Sequence, residues 1–194
     1  MLHYLDHRPT HDVDAWWSSQ VSAADRERLV SVVEEALSPL GEVHQRSWGD
    51  VLSIDLRREG TTVFNFQIAR RSAQLRPTAV APWVKVHLDS LEDLLASKMV
   101  ALVERGTPRD FRDIHAACQA EVSTAQGCWK LWRQRQELSG SDTDFHRARL
   151  AVQTHLERII QHRPLDRIQD PARQAEAQVL RRWFGEEFLD AIPD

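Results

Sequence analysis

No run of about eighteen apolar residues occurs, so no helix of this chain is built to cross a membrane. The first residues, Met1 to Arg8, lack the apolar core of a secretory signal. Cysteine is scarce. Cys118 and Cys128 lie in a helical stretch without metal-ligand spacing, which argues against a disulfide scaffold and for a reducing cytoplasm. There is no Gly-x-Ser-x-Gly elbow, Walker loop or dinucleotide fingerprint. The histidines supply no metal site either. His7 and His11 are four apart, but Pro9 between them opposes the helix that such a pair requires. A net charge of -4 gives no general basic field, so contact with nucleic acid would need a local patch. Repeats and low-complexity segments are absent.

What is present suffices for a core. The 194 residues are 42% hydrophobic and 28% charged, which suits one large domain or two small lobes. Ser22-Ala23-Ala24-Asp25 reads as a capping box ahead of Leu29, Val33 and Leu37 at helical spacing, with Pro39 and Gly41 as the stop. Leu52, Ile54 and Leu56 alternate with Val51, Ser53 and Asp55, as in a half-buried strand. After Glu59-Gly60, Phe64, Phe66 and Ile68 alternate with Val63, Asn65 and Gln67, predicting an antiparallel hairpin. Arg70 to Pro82 reads as a connector. Beyond it, Ser90-Leu91-Glu92-Asp93 and Thr107-Pro108-Arg109-Asp110 open two helices, the first ending at Gly106. Further helices are expected over 123–138, 142–162 and 171–191. The expected architecture is an α/β (α+β) lobe over residues 1–86 and a helical lobe over 87–194.

Four features carry potential chemistry. In a strand over 11–16, Asp12 and Asp14 project from one face, because side chains alternate with period two. Paired carboxylates suit a hard cation such as Mg²⁺, although a polar loop with two solvated acids fits the same residues. Lys98 falls among Leu91, Leu94, Leu95, Ala101 and Leu102 on one helical face. It must snorkel, pair with an acid of the α/β lobe, or address a phosphate. Asp110 and Asp113 share a face one turn apart. The cap explains Asp110, whereas Asp113 could hold Lys98 or Arg109 across a helix pair. Finally, Trp129-Lys130-Leu131-Trp132-Arg133 suits either a core stripe or a stacking surface for RNA, the core being favoured by spacing.

Two blocks resemble the AbiEii/AbiGii family of nucleotidyltransferase toxins, also called MenA-like. His7-Arg8-Pro9-Thr10-His11-Asp12-Val13-Asp14 is similar to the family pattern H-R-x-[ST]-x-D-[IVL]-D. Ser90-Leu91-Glu92-Asp93-Leu94-Leu95-Ala96-Ser97-Lys98, followed by Arg105 and Arg109-Asp110-Phe111-Arg112-Asp113, resembles S-L-E-x-L-L-A-x-K, then R, then R-D-x-x-D. The resemblance implies a nucleotidyltransferase-like mixed sheet with a C-terminal helical lobe. It implies Mg²⁺ on Asp12 and Asp14, catalytic roles for Lys98, Asp113 and Asp110, and nucleotide contacts from Arg8, Thr10, Lys98 and Arg109. Its implied partners are a nucleoside triphosphate, a tRNA or other RNA acceptor, and a cognate antitoxin, with no membrane.

Two departures qualify it. The family carries a glycine turn before the D-x-D strand, and no glycine precedes His7, so either the chain starts upstream or a phosphate-binding element is missing. A third carboxylate is replaced by Asn65 or Gln67, with Asp55 on the preceding strand as the candidate substitute. The alternative expectation is a non-catalytic nucleotidyltransferase-like binding module.

Overall fold

The computed structural model describes residues 4–5, 8–18, 20–82 and 85–193; His7, which opens the first block, lies outside them. The chain divides into two compact units, Arg8–Ser72 and Ala73–Asp194 with Met1–His7.

The first unit holds β1 (Asp12–Trp17), α1 (Ala23–Leu37), β2 (Glu42–Trp48), β3 (Val51–Arg58) and β4 (Thr61–Arg70). Ser22 Oγ accepts from the Asp25 N–H at 3.2 Å and the Asp25 carboxylate accepts from the Ser22 N–H at 3.1 Å, closing the expected capping box. The helix tightens into a turn at Ser38–Leu40, where Pro39 cannot continue it. The strands form a mixed sheet in the order β1-β4-β3-β2, with β1 parallel to β4 and the other neighbours antiparallel. Glu59 and Gly60 turn the β3–β4 hairpin with φ of +50° and +75°, the two positive values a tight hairpin twist requires.

One sheet face is apolar. Leu52, Ile54 and Ile68 pack there with Ala15, Trp17, Val43 and Phe66, under Leu29, Val30, Val33 and Leu37 of α1. β3 departs from the half-buried expectation, since Ser53 and Asp55 are as buried as the leucines beside them. As an inner strand β3 is flanked by β2 and β4, whose Arg46 and Asn65 bond to Asp55. β2 has no apolar alternation and gave no expectation of a strand. It is an edge, exposed everywhere except at half-buried Val43, and needs little burial of its own.

The second unit contains a two-strand ribbon, β5 (Ala79–Val80) with β6 (His87–Leu88). Then follow α2 (Leu91–Glu104), α3 (Pro108–Gln119), α4 (Ala125–Ser139), α5 (Phe145–His162) and α6 (Pro171–Trp183), which runs into a π-helical turn at Phe184–Phe188. The connector belongs to this unit. Leu75 and Arg76 donate their N–H groups to Asp93 at 2.8 and 2.9 Å, and Ala73 and Ala81 are buried, so the division falls at 72/73 rather than at 86/87.

Leu95, Met99, Leu102, Phe111, Ile114, Val152 and Phe188 build the helical core. Trp129 and Trp132 lie within it at 0% and 2% exposure, and Trp129 Nε1 donates to the Phe188 carbonyl at 3.0 Å. The stacking surface for RNA is thereby overturned: rings turned inward against Phe145 and Phe188 offer no face to a base. Cys118 and Cys128 are free thiols with Sγ atoms 3.9 Å apart. Among the described residues no helix is long and apolar enough to cross a membrane.

Candidate active site

The sheet face opposite α1 is polar, and its register assembles two rows. Asp12 lies across from Asn65, Asn65 from Asp55, and Asp55 from His44. Asp14 lies across from Gln67, Gln67 from Ser53, and Ser53 from Arg46. Directly opposed residues of paired strands share a face. The structure therefore places Asp12 and Asp14 together on a strand, as expected from their spacing. Asp12 is half-buried and Asp14 exposed. The Thr10 hydroxyl donates to the Asp12 carboxylate, while Arg8 Nη1 donates to the Pro9 carbonyl at 3.2 Å.

Asp55 is buried, and its charge is compensated. One oxygen accepts from Arg46 Nη2 and the other from Asn65 Nδ2, both at 2.7 Å. β4 stands between it and Asp12, and strands are spaced by about 4.8 Å, so Asp55 does not substitute as a third carboxylate beside the pair. Among the described residues no three His, Cys, Asp or Glu side chains gather as a metal site. The donor set at β1 and β4 is two carboxylates with two neutral amides across from them. Mg²⁺ takes one or two protein carboxylates and completes its shell with water and phosphate oxygens, so these residues fit it.

Two acid–cation pairs dominate the start of the helical unit. Lys98 Nζ meets Asp113 Oδ2 at 2.9 Å, with the lysine side chain 23% exposed and the acid fully buried. The partner comes from α3, not from the α/β lobe, because Lys98 flanks the buried stripe of Leu95, Met99 and Leu102 on the side that α3 covers. Asp110 is also fully buried. It accepts from Arg105 Nε and Nη2 at 3.1 and 3.2 Å, and from the Thr107 N–H and hydroxyl at 3.1 and 2.7 Å. Its expected capping role is thus realised. Arg109 is exposed on the first turn of α3.

Burial pushes the Asp110 carboxyl upward, but its Arg105 and Thr107 partners outweigh this and hold it below the ordinary carboxylate range. The folded state therefore binds its proton more weakly than the unfolded chain. The resulting stability is complete above the unfolded value near 3.9 and is lost as pH falls through the lower folded value. Asp110→Asn should lower stability at pH 7 by about 2 kcal/mol, the scale of hydrogen bonds to a charged partner. Urea midpoints for both proteins should stay apart down to about pH 4 and draw together as pH falls below it. A gap that widened instead would remove the charge-based account.

A family model described as nucleotidyl transferase AbiEii toxin, of the type IV toxin–antitoxin system, matches residues 1–190. The chain belongs to the AbiEii family. No curated protein and no solved structure matches it. The mixed sheet with its helical companion unit agrees with an AbiEii nucleotidyltransferase fold, and family membership implies a nucleotide substrate and an antitoxin partner. Sequence reasoning did not find Arg46, which lies across from Ser53 on the polar sheet face. Alternation along β3 placed Ser53 and Asp55 on one side, but nothing in Glu42–Trp48 signalled a strand.

Proposed function

We propose that this AbiEii protein is a Mg²⁺-dependent nucleotidyltransferase that moves a nucleoside monophosphate from a triphosphate to a hydroxyl of a tRNA-like RNA, releasing pyrophosphate. The observation that carries the reading is the pair Asp12 and Asp14 on the polar face of β1, in register with the amides of Asn65 and Gln67. Asp12 and Asp14 would hold Mg²⁺, which when bound offsets triphosphate charge. Thr10 steadies the Asp12 carboxylate through its hydroxyl. Lys98 supplies a cation for phosphate oxygens; an ammonium has three donors, and Asp113 takes one while fixing its direction. Arg109 and Arg8 add guanidinium groups suited to phosphate. Asp110 acts at one remove, holding the turn between α2 and α3 through Arg105 and Thr107.

Purified protein incubated with each radiolabelled triphosphate, Mg²⁺ and total tRNA should transfer label to RNA and release pyrophosphate. Absence of transfer with all four nucleotides ends this reading. One observation favours a second: the neutral side chains at positions 65 and 67 leave the acid pair without a third carboxylate on β4. A non-catalytic nucleotide-binding module then predicts triphosphate binding without pyrophosphate release.

A further inference from the structure

We propose that Asn65 gives its side-chain carbonyl oxygen to the cation of Asp12 and Asp14, and that Asp55 is the positioning residue that sets this orientation. The inference rests on the reading of those two acids as cation ligands.

The Asn65 amide nitrogen donates to Asp55 Oδ1 and to Ser53 Oγ, each at 2.7 Å. A primary amide has two hydrogens on nitrogen, and both are spent on β3. A carboxylate only accepts, so the amide cannot turn over without setting its carbonyl against the Asp55 oxygen. Arg46 Nη2 on the second Asp55 oxygen anchors that carboxylate in turn. With its nitrogen committed to β3, the carbonyl is the Asn65 side-chain atom that remains for a ligand on the β1 side. There β1 brings Asp12 across the parallel register. Amide oxygens are hard neutral donors of the class that divalent oxygen-liganded cations accept.

The same contacts explain why position 65 is neutral. A carboxylate there would sit within hydrogen-bond distance of buried Asp55 with no proton between them, and like charges so placed oppose each other strongly. The negative charge stands instead one strand away, where it orients a neutral donor.

Mn²⁺ is the probe, titrated into the full chain and followed by the electron paramagnetic resonance of the free ion, with folding checked by far-ultraviolet circular dichroism. Asn65→Leu, with Asp12 intact, should weaken Mn²⁺ binding about tenfold, and Asp55→Asn, which frees the amide to turn over, by a similar factor. The joint exchange Asp55→Asn with Asn65→Asp keeps the hydrogen bond with its roles reversed. It should bind Mn²⁺ about tenfold more tightly than the natural chain, since a carboxylate replaces an amide beside the ion. This exchange retains the packing and decides the matter even if Asn65→Leu does not fold. Wild-type affinity in the exchange protein, with binding lost in Asp12→Asn, overturns the role of Asn65 and leaves the acid pair standing. Unchanged Mn²⁺ binding in Asp12→Asn overturns the acid pair itself.

Discussion

Asp12→Ala should reduce nucleotidyl transfer on the order of 10³-fold while leaving the melting temperature within about 2 °C of the natural protein. The two halves of this expectation have separate causes. A ligand-bearing carboxylate contributes through the charge it allows a cation to neutralise, an effect of several kcal/mol at a phosphoryl centre. Each factor of ten in rate requires about 1.4 kcal/mol, so losing such a ligand accounts for three decades. The fold loses little, because Asp12 begins an edge strand, is only half-buried and packs on the polar face rather than under α1. Surface changes of that kind stay within about 0.5 kcal/mol. Label transfer to RNA and a thermal melt, made on the same preparation, check both halves. Transfer that survives Asp12→Ala moves the chemistry away from β1, whereas loss of both transfer and stability assigns Asp12 to the fold.

Much of this arrangement was legible from local sequence, for a physical reason. Caps act over three or four residues, so Ser22 with Asp25 and Thr107 with Asp110 announced their helices and the structure closed both boxes. Strand alternation is equally local, and it put Asp12 with Asp14, and Ser53 with Asp55, on shared faces. Partnerships between distant segments were not legible. No periodicity states that β1 runs parallel to β4 so that Asp12 meets Asn65, because α1 carries the chain from β1 to β2 at the opposite edge and β4 arrives only after β3, its pairing with β1 resting on the shared apolar cluster of Ala15, Trp17 and Ile68. Lys98 illustrates the same point. Its helical position required an anion or an escape to solvent, and only the packing of α2 against α3 selected Asp113. Arg46 was invisible because an edge strand needs no apolar pattern.

Gly106→Val should lower stability by about 4 kcal/mol, the sum of left-handed backbone strain in a β-branched residue and overpacking against a neighbour. Gly106 follows the C-cap of α2 with φ of +50°, and its N–H donates to the Ala101 carbonyl at 3.0 Å, so the turn depends on a conformation that valine rarely adopts. Space is the second obstacle. A Cβ at this position would fall inside contact distance of the Cβ and Cγ of His155 on α5. His155→Ala would leave its own Cβ in the way, so α5 itself must retreat. That helix is held there by the bond between His155 Nε2 and the Val103 carbonyl at 3.1 Å and by Val152 and Leu156 in the core. For a chain of this size the expected fall in melting temperature is about 8–16 °C. Transfer activity should fall with it below the melt, because the same turn carries Arg105 and Thr107 onto Asp110 and joins the helices bearing Lys98 and Asp113. A valine variant that melts with the natural protein would mean that α5 yields freely, and the close approach at Gly106 would then not be what fixes the two helices.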